Sequence, residues 1–247
     1  MIEYEQRGDA AWITIDRPEK KNALHLEGWS DLRAALDRAA EETRVAVITG
    51  VEDSFSAGDD IALIEATETA DDLDELVGVL GDVLFGIENL EIPVIAAVNG
   101  LAYGGGCEMV AAADLAVATT EATFALPEAS IGAYPPYAAE RVAETVGKKR
   151  FMELAMTARP VDAERALDWG LVNRVVPRGD LAATVEEFVE AVASMPAAGL
   201  RVTKRAVAAR VQASGELERV RGGFAQVRAD EESRAATDRF LHGDPEV

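Results

Sequence analysis

Residues 92–119 read IPVIAAVNGLAYGGGCEMVAAADLAVAT, and the way this stretch divides decides the fold. IPVIAAVNG (92–100) is a short apolar run that stops at Asn-Gly, the pattern of a buried strand ending in a turn. DLAVATT, taken from Asp114 to Thr120, is a second strand of the same kind. Between them LAYGGGCEMVAAAD (101–114) reads as a helix, yet three consecutive glycines open it. Glycine in a helix interior costs about 0.5–1 kcal/mol relative to alanine, so the cluster needs a reason. An acid, Glu108, follows it among small apolar neighbours. Strand, glycine turn, helix and strand together make one unit of a layered α/β core.

The pattern recurs outward in both directions. VAVITG (45–50) is a β-branched run ending in glycine and feeding the loop VEDSFSAGDDI (51–61). AAWITID (10–16) alternates as a strand and runs into the turn RPEKKN. LEGWSDLRAALDRAAEE (26–42) has helical spacing, with Leu26, Trp29, Leu32, Leu36 and Ala39 on one side. A polar, acidic and mobile segment is expected near 65–75, a helix over 72–90, and a further strand in LVNRVVP (171–177). Past Pro177 the composition changes, and 180–194, 196–213 and 216–241 read as successive helices. The expected organisation is a core over 1–180 and a helical oligomerisation region over 181–247.

Composition narrows the function. The 247 residues hold 45 acidic and 24 basic side chains, a net charge of −21. Such a surface repels nucleic acid and anionic membrane, so neither is expected as a partner. It also suits a halophile's cytosol, where salt near 1 M shortens the Debye length to about 3 Å. One cysteine, Cys107, and two histidines, His25 and His242, exclude a disulfide framework and leave almost no material for a zinc centre. No apolar run reaches the roughly 18–20 residues of a bilayer span. The acidic N-terminal stretch lacks the basic character of an export signal. A cytoplasmic setting is therefore expected.

Two apolar strands thus exit through glycine-bearing turns toward a helix, at VITGVEDSFSAGDDI and at AAVNGLAYGGGCEM. Glycine lets backbone N–H groups at a helix start approach a ligand oxygen closely. Neither turn matches a phosphate-binding signature, and a lone glycine triplet more often serves close packing. A pair of such turns offers another device, two N–H groups aimed at one carbonyl oxygen. Glu108 follows the second turn, and TFALPEASIG places Glu128 directly after Leu126-Pro127, which fixes the chain just before the acid. If the intervening strand returns the chain past the first helix, both carboxylates face one apolar pocket. Two buried acids push their titrations apart, giving one acid and one base near neutral pH.

At this point the sequence resembles the crotonase superfamily, the enoyl-CoA hydratase/isomerase family. ITIDRPEKKNAL (13–24), FSAGDDI (55–61), residues 92–119, FALPEASIG (124–132) and ALDWGLVNRVVP (166–177) match its blocks in order. The resemblance implies an α/β fold of the ClpP/crotonase type, a spiral of ββα units with a C-terminal helical trimerisation region. It implies an acyl-CoA thioester as substrate and a homo-trimer or dimer of trimers. By motif, the carbonyl-binding N–H groups fall on Asp59 and Gly105, and the two hydratase glutamates on Glu108 and Glu128. No metal or separate cofactor is required, since coenzyme A arrives with the substrate.

The other site residues follow from the same resemblance. Lys20 and Lys21, with Ala23, Ala57 and Lys204, are expected at the CoA entrance, where the lysines would supply the basic mouth that an acidic surface demands. Ile61, Tyr134, Pro135 and Tyr137 are expected around the acyl group. The Asp59 side chain is expected to point away, Cys107 to be a packing residue, and His25 to cap a helix or lie on the surface. GAYPPYAAERVAETVG (132–147) departs from the glycine-rich PGxGGTQRL stretch of many family hydratases. The expected activity is hydration of a 2-enoyl-CoA to a 3-hydroxyacyl-CoA. The alternatives are double-bond isomerisation, hydrolysis or C–C cleavage on the same thioester enolate, or a non-enzymatic binding protein, against which both acids and both glycine turns argue.

Overall fold

The computed structural model describes residues 1–66 and 70–212, together with 230, 231, 234–236 and 239. Its strands in chain order are β1 (Ile2–Arg7), β2 (Ala10–Ile15), β3 (Val45–Gly50), β4 (Ser54–Ser56), β5 (Val94–Val98), β6 (Leu101–Tyr103), β7 (Leu115–Thr119), β8 (Thr123–Ala125), β9 (Val161–Asp162) and β10 (Arg174–Val176). The helices are α1 (Leu26–Glu42), α2 (Ile61–Ala66), α3 (Ala70–Asn89), α4 (Gly105–Ala112), α5 (Pro136–Val146), α6 (Lys148–Thr157), α7 (Ala163–Trp169), α8 (Leu181–Ala193) and α9 (Ala197–Gln212).

These elements repeat one unit. A strand of a six-stranded sheet (β1-β2-β3-β5-β7-β10) leads into a strand of a four-stranded sheet (β4-β6-β8-β9), and then into a helix. β3, β5 and β7 stack in parallel in the first sheet, while β4, β6 and β8 stack in parallel in the second. The first turn of the spiral has no full second strand. Leu24 makes a lone parallel bridge to Asp59 in its place, and α1 follows. This is the spiral of ββα units that the family resemblance implies, with helices α8 and α9 after it.

Alternation along each strand explains why the central runs are apolar throughout. Ala46, Ile48, Val94, Ala96, Val98, Ala116 and Ala118 face the main core, with Trp29, Leu32, Leu36 and Ala39 of α1 and Val83, Leu84 and Ile87 of α3. The intervening Val47, Ile95 and Val117 face a second core built with Leu181, Val185 and Val189 of α8. A strand covered on both faces leaves few positions for polar side chains, and in β3 and β7 these are Thr49 and Thr119 near the strand ends. Each fully buried Val, Leu or Ile contributes about 1.5–3 kcal/mol. Residues past 181 therefore complete the packing of the large sheet.

Two buried asparagines hold the turn between β3 and β4 against its neighbours. Asn22 donates to Val51 O at 3.1 Å and Ser54 O at 2.7 Å. Asn99 donates to Glu52 O and Ser54 O and accepts from Gly50 N–H at 3.1 Å. Carbonyls that the short sheet leaves unpaired are satisfied by side-chain amides, as buried backbone groups must be.

Several elements differ from the sequence reading. Leu101–Tyr103 is strand, and the helix begins only at Gly105. β4 lies within the expected loop 51–61, and β1, β8 and β9 carried no expectation. The expected segment near 65–75 falls partly on residues 67–69, outside the described residues, and a helix is in place by Ala70. The helix expected over 216–241 lies almost wholly outside the described residues. Among the described residues, no helix is long and apolar enough to cross a membrane.

Candidate active site

The first wall of the site is the loop after β4. Three backbone bonds tie it to the turn before α1: Ala57 N–H to Lys21 O, Leu24 N–H to Gly58 O, and Asp60 N–H to Leu24 O, all 2.8–2.9 Å. Ser56 Oγ takes the Gly58 N–H at 3.0 Å and donates to Asn22 O. Among the described residues, no protein acceptor takes the N–H of Asp59. Gly58 stands at φ +83°, and a Cβ there would lie 2.6 Å from Gly105 N and 2.8 Å from Tyr103 O. Only glycine permits both the left-handed backbone and the approach of the two loops.

The second wall is the glycine triplet, and each glycine is fixed by a different neighbour. Gly104, at φ +52°, has the Glu128 Oε1 only 3.1 Å from where its Cβ would stand. Gly105 lies under the Trp29 ring, and Gly106 presses on Ser56 O, 2.2 Å from a built Cβ. Gly105 opens α4, so its N–H has no partner within the helix. Among the described residues nothing else accepts it. Two spare N–H groups, on Asp59 and Gly105, thus sit on loops in van der Waals contact.

Both glutamates reach this place. Glu108 lies one helical turn beyond Gly105, is 2% exposed, and its Oε1 accepts the Ala138 N–H at 2.7 Å. The donor belongs to the first turn of α5, which starts at Pro136. The unusual 132–147 segment therefore supplies a helix N-terminus facing Glu108. Glu128 begins a short 3-10 turn, Glu128–Ile131, and its Oε2 is buried without a hydrogen-bond partner.

Electrostatics couple the acids. Burial pushes the Glu128 carboxyl up to about 8, and the charge of Asp59 adds to this against its own backbone N–H. Burial raises Glu108 well above the usual carboxylate range, and repulsion from Glu128 raises it further. The N–H groups of Ala138 and Tyr137 oppose that rise. The two titrate as one coupled pair that resists holding two charges. The α5 donors offset part of the rise at Glu108, as the backbone N–H of Glu128 does at Glu128.

A cavity of about 540 Å³ opens from Asp59, Gly105 and Glu128, and Glu108 is not among its lining residues. Its walls include the expected Lys20, Lys21, Ala23, Ala57, Ile61 and Gly105, with Asp59, Gly104 and Glu128. Lys20 and Lys21 are exposed at its rim, and Lys21 meets Asp53 at 3.2 Å. His25 caps α1, its Nδ1 accepting from Gly28 N–H at 3.0 Å. Cys107 is buried, and burial together with the two glutamates pushes its thiol well up, which fits a packing residue.

Three expectations need correction. Lys204 is not at this cavity: it is buried, bonded to Asp114 Oδ2 and Ile92 O, and lines a separate cavity of about 520 Å³ with Arg141 and Glu88. A long cation 90 residues from its partner carboxylate gives no local sign of pairing with it. Tyr134, Pro135 and Tyr137 are not among the residues lining the 540 Å³ cavity. Pro135 and Tyr137 are buried at the start of α5, where Tyr137 packs edge-on against Phe85 with ring centres 5.5 Å apart. The Asp59 side chain does not turn away, since it lines the cavity and its charge acts on both glutamates. Sequence reasoning also missed Trp29, which the helical spacing marks only as core, although its indole N–H donates to Asp59 Oδ1 at 2.9 Å. Among the described residues, no group of acidic, histidine or cysteine side chains is arranged to hold a metal ion.

Comparison with known proteins identifies the family. The profile of the Enoyl-CoA hydratase/isomerase family matches residues 5–241. The chain is 34% identical to a short-chain-enoyl-CoA hydratase of Clostridium acetobutylicum, over 82% of this chain and 79% of that protein. It is 39% identical to a carnitinyl-CoA dehydratase of Escherichia coli, over 75% and 71%. The crystal structure of a carnitinyl-CoA hydratase from Mycobacterium avium superimposes with a TM-score of 0.85 at 30% identity, covering 100% of this chain and 97% of that one. The chain belongs to the enoyl-CoA hydratase/isomerase family, the crotonase superfamily, whose enzymes act on acyl-CoA thioesters.

Proposed function

We propose that the protein adds water across the 2,3 double bond of a 2-enoyl-CoA to give a 3-hydroxyacyl-CoA. The observation that carries this reading is a pair of coupled glutamates, Glu108 buried one helical turn beyond Gly105 and Glu128 half-buried on the cavity wall that carries the two spare N–H groups. The thioester oxygen accepts from Asp59 N–H and Gly105 N–H, which stabilise the negative charge it gains as the double bond is attacked. Ionised Glu108 orients a water and takes its proton while the oxygen bonds to Cβ. Protonated Glu128 gives its proton to Cα, so one water is added and the proton count balances across the pair. The relatives named as hydratase and dehydratase support addition or removal of water on an acyl-CoA as the class of chemistry.

Glu108→Gln separates this reaction from its nearest rivals. Hydration is expected to fall about 10²–10⁴-fold, mainly in kcat, while exchange of the Cα proton falls much less. Rate measurements with crotonyl-CoA and deuterium incorporation at Cα read the two steps. Near-normal turnover of the physiological acyl-CoA by Glu108→Gln points instead to an isomerase working through Glu128 alone.

The assembly is part of the same proposal, as a homo-trimer or dimer of trimers. With a net charge of −21 per chain, lowering KCl from molar to about 0.1 M lengthens the Debye length to about 10 Å and extends the repulsion between copies. Loss of trimeric contacts or activity is expected across that range. Sedimentation across a salt series checks it, and an unchanged, fully active oligomer rules out salt adaptation.

A further inference from the structure

Asp59 carries a side chain that its N–H does not need for binding a carbonyl. The Asp59 Oδ1 accepts the indole N–H of Trp29 at 2.9 Å, and Trp29 is fully buried on α1. The same ring closes over Gly105: its Cζ2 and Cη2 lie 3.0 and 3.2 Å from where a Gly105 Cβ would stand. One tryptophan therefore touches both loops that present a spare N–H. Asp59 shares the cavity wall with Gly104, Gly105 and Glu128.

We propose that Asp59 is a positioning residue: its side chain, anchored on Trp29, holds the loop bearing the first carbonyl donor against Gly105 and keeps its carboxylate at the cavity wall it shares with Glu128. The catalytic half of this inference rests on the enoyl-CoA reading above.

The titratable and charged groups near Glu128 come from several elements. Asp59 comes from the loop after β4, Glu108 and the neutral Cys107 thiol from α4, and Lys20 and Lys21 from the turn before α1 at the exposed rim. Asp60, next in sequence, is matched by Arg17 Nη1 at 2.7 Å. Among the described residues Asp59 meets no such cation, and its partner is the Trp29 indole. Burial pushes it up to about 6, with the Trp29 hydrogen bond holding it down, while Glu128 stands at about 8. Between those values Asp59 is charged and Glu128 is protonated. That is the state in which Glu128 can act as an acid, and the Asp59 charge opposes its loss.

Asp59→Asn keeps an acceptor for the indole and removes the charge. In ligand-free protein, the carbon-13 carboxyl titration of Glu128 is expected to move down by about one pH unit. The alkaline limb of kcat with crotonyl-CoA should move with it. Trp29→Phe keeps the ring and removes the donor. It should raise the Asp59 midpoint above about 6 and lower kcat/KM about tenfold, the scale of a hydrogen bond to a charged group. If Asp59→Asn fails to fold, Trp29→Phe carries the test, and an unmoved Asp59 midpoint overturns the proposal. If wild-type turnover shows an alkaline limb and Asp59→Asn shifts neither that limb nor the Glu128 midpoint, the proposal fails while the hydratase reading stands. If the midpoint shifts but no enoyl-CoA is hydrated, the electrostatic role stands and the hydratase reading fails.

Discussion

Glu128→Gln is expected to lower kcat for hydration by about 10²–10⁴-fold and to abolish proton exchange at the substrate Cα. The Glu128 carboxyl hangs over Gly104, beside the start of α4, and Oε2 is buried with no partner. A glutamine keeps the shape but cannot deliver a proton. Acyl-CoA affinity should change little, because the two N–H groups that bind the thioester oxygen are untouched. Stability supplies an internal control. A carboxyl raised to about 8 in the folded protein contributes stability below its ordinary value near 4.5 that is lost as pH rises through about 8. Gln removes that loss, so at pH 9 the variant should be more stable than wild type by up to a few kcal/mol. Equilibrium denaturation at pH 5 and pH 9, beside the two rate assays, reads all of this. Near-normal turnover by Glu128→Gln removes the acid from the mechanism.

Gly58→Ala should be comparably damaging for a different reason. The added Cβ would stand 2.6 Å from Gly105 N and 2.8 Å from Tyr103 O, so the two loops must separate. Their N–H groups then no longer address one oxygen. Removal of one such donor costs about 2.7–4 kcal/mol in comparable sites, so kcat should drop about 10²–10³-fold. Left-handed backbone strain adds about 1–3 kcal/mol of destabilisation. Gly147 isolates that strain: it has the same φ of +83°, but a Cβ there meets nothing within 4 Å. Gly147→Ala should therefore lose stability with little loss of rate. Equal activity losses in the two variants would show that backbone strain, not the separation of the loops, is responsible.

The part of the fold legible in the sequence is the part governed by burial on two faces. VAVITG, IPVIAAVNG and DLAVATT could be read because a central strand, covered on both faces, is apolar over four or five successive positions. Ser54–Ser56, Leu101–Tyr103 and Thr123–Ala125 could not, since three residues carry no period and Leu101–Tyr103 runs straight into helix-like sequence. β1 alternates Ile2 and Tyr4 with charged neighbours, the pattern of an exposed edge that composition alone leaves ambiguous. Glu108 and Glu128 were legible because a glycine triplet and a proline fix the chain just before them. The partners of Asp59 and Lys204 were not. Trp29 lies 30 residues from Asp59 and Asp114 lies 90 from Lys204, and both pairs are set by how the spiral closes. The same applies to Ala138, whose N–H meets Glu108 only because α5 returns across α4.

The most direct test of the account is to mix the wild-type protein with crotonyl-CoA and longer 2-enoyl-CoAs in heavy water at high KCl. The absorbance of the conjugated thioester and the mass of the product are then followed together. The account predicts loss of the conjugated absorbance and a 3-hydroxyacyl-CoA carrying one deuterium at Cα. A protein that adds no water to any of these substrates, yet shifts the double bond or exchanges the Cα proton, contradicts it.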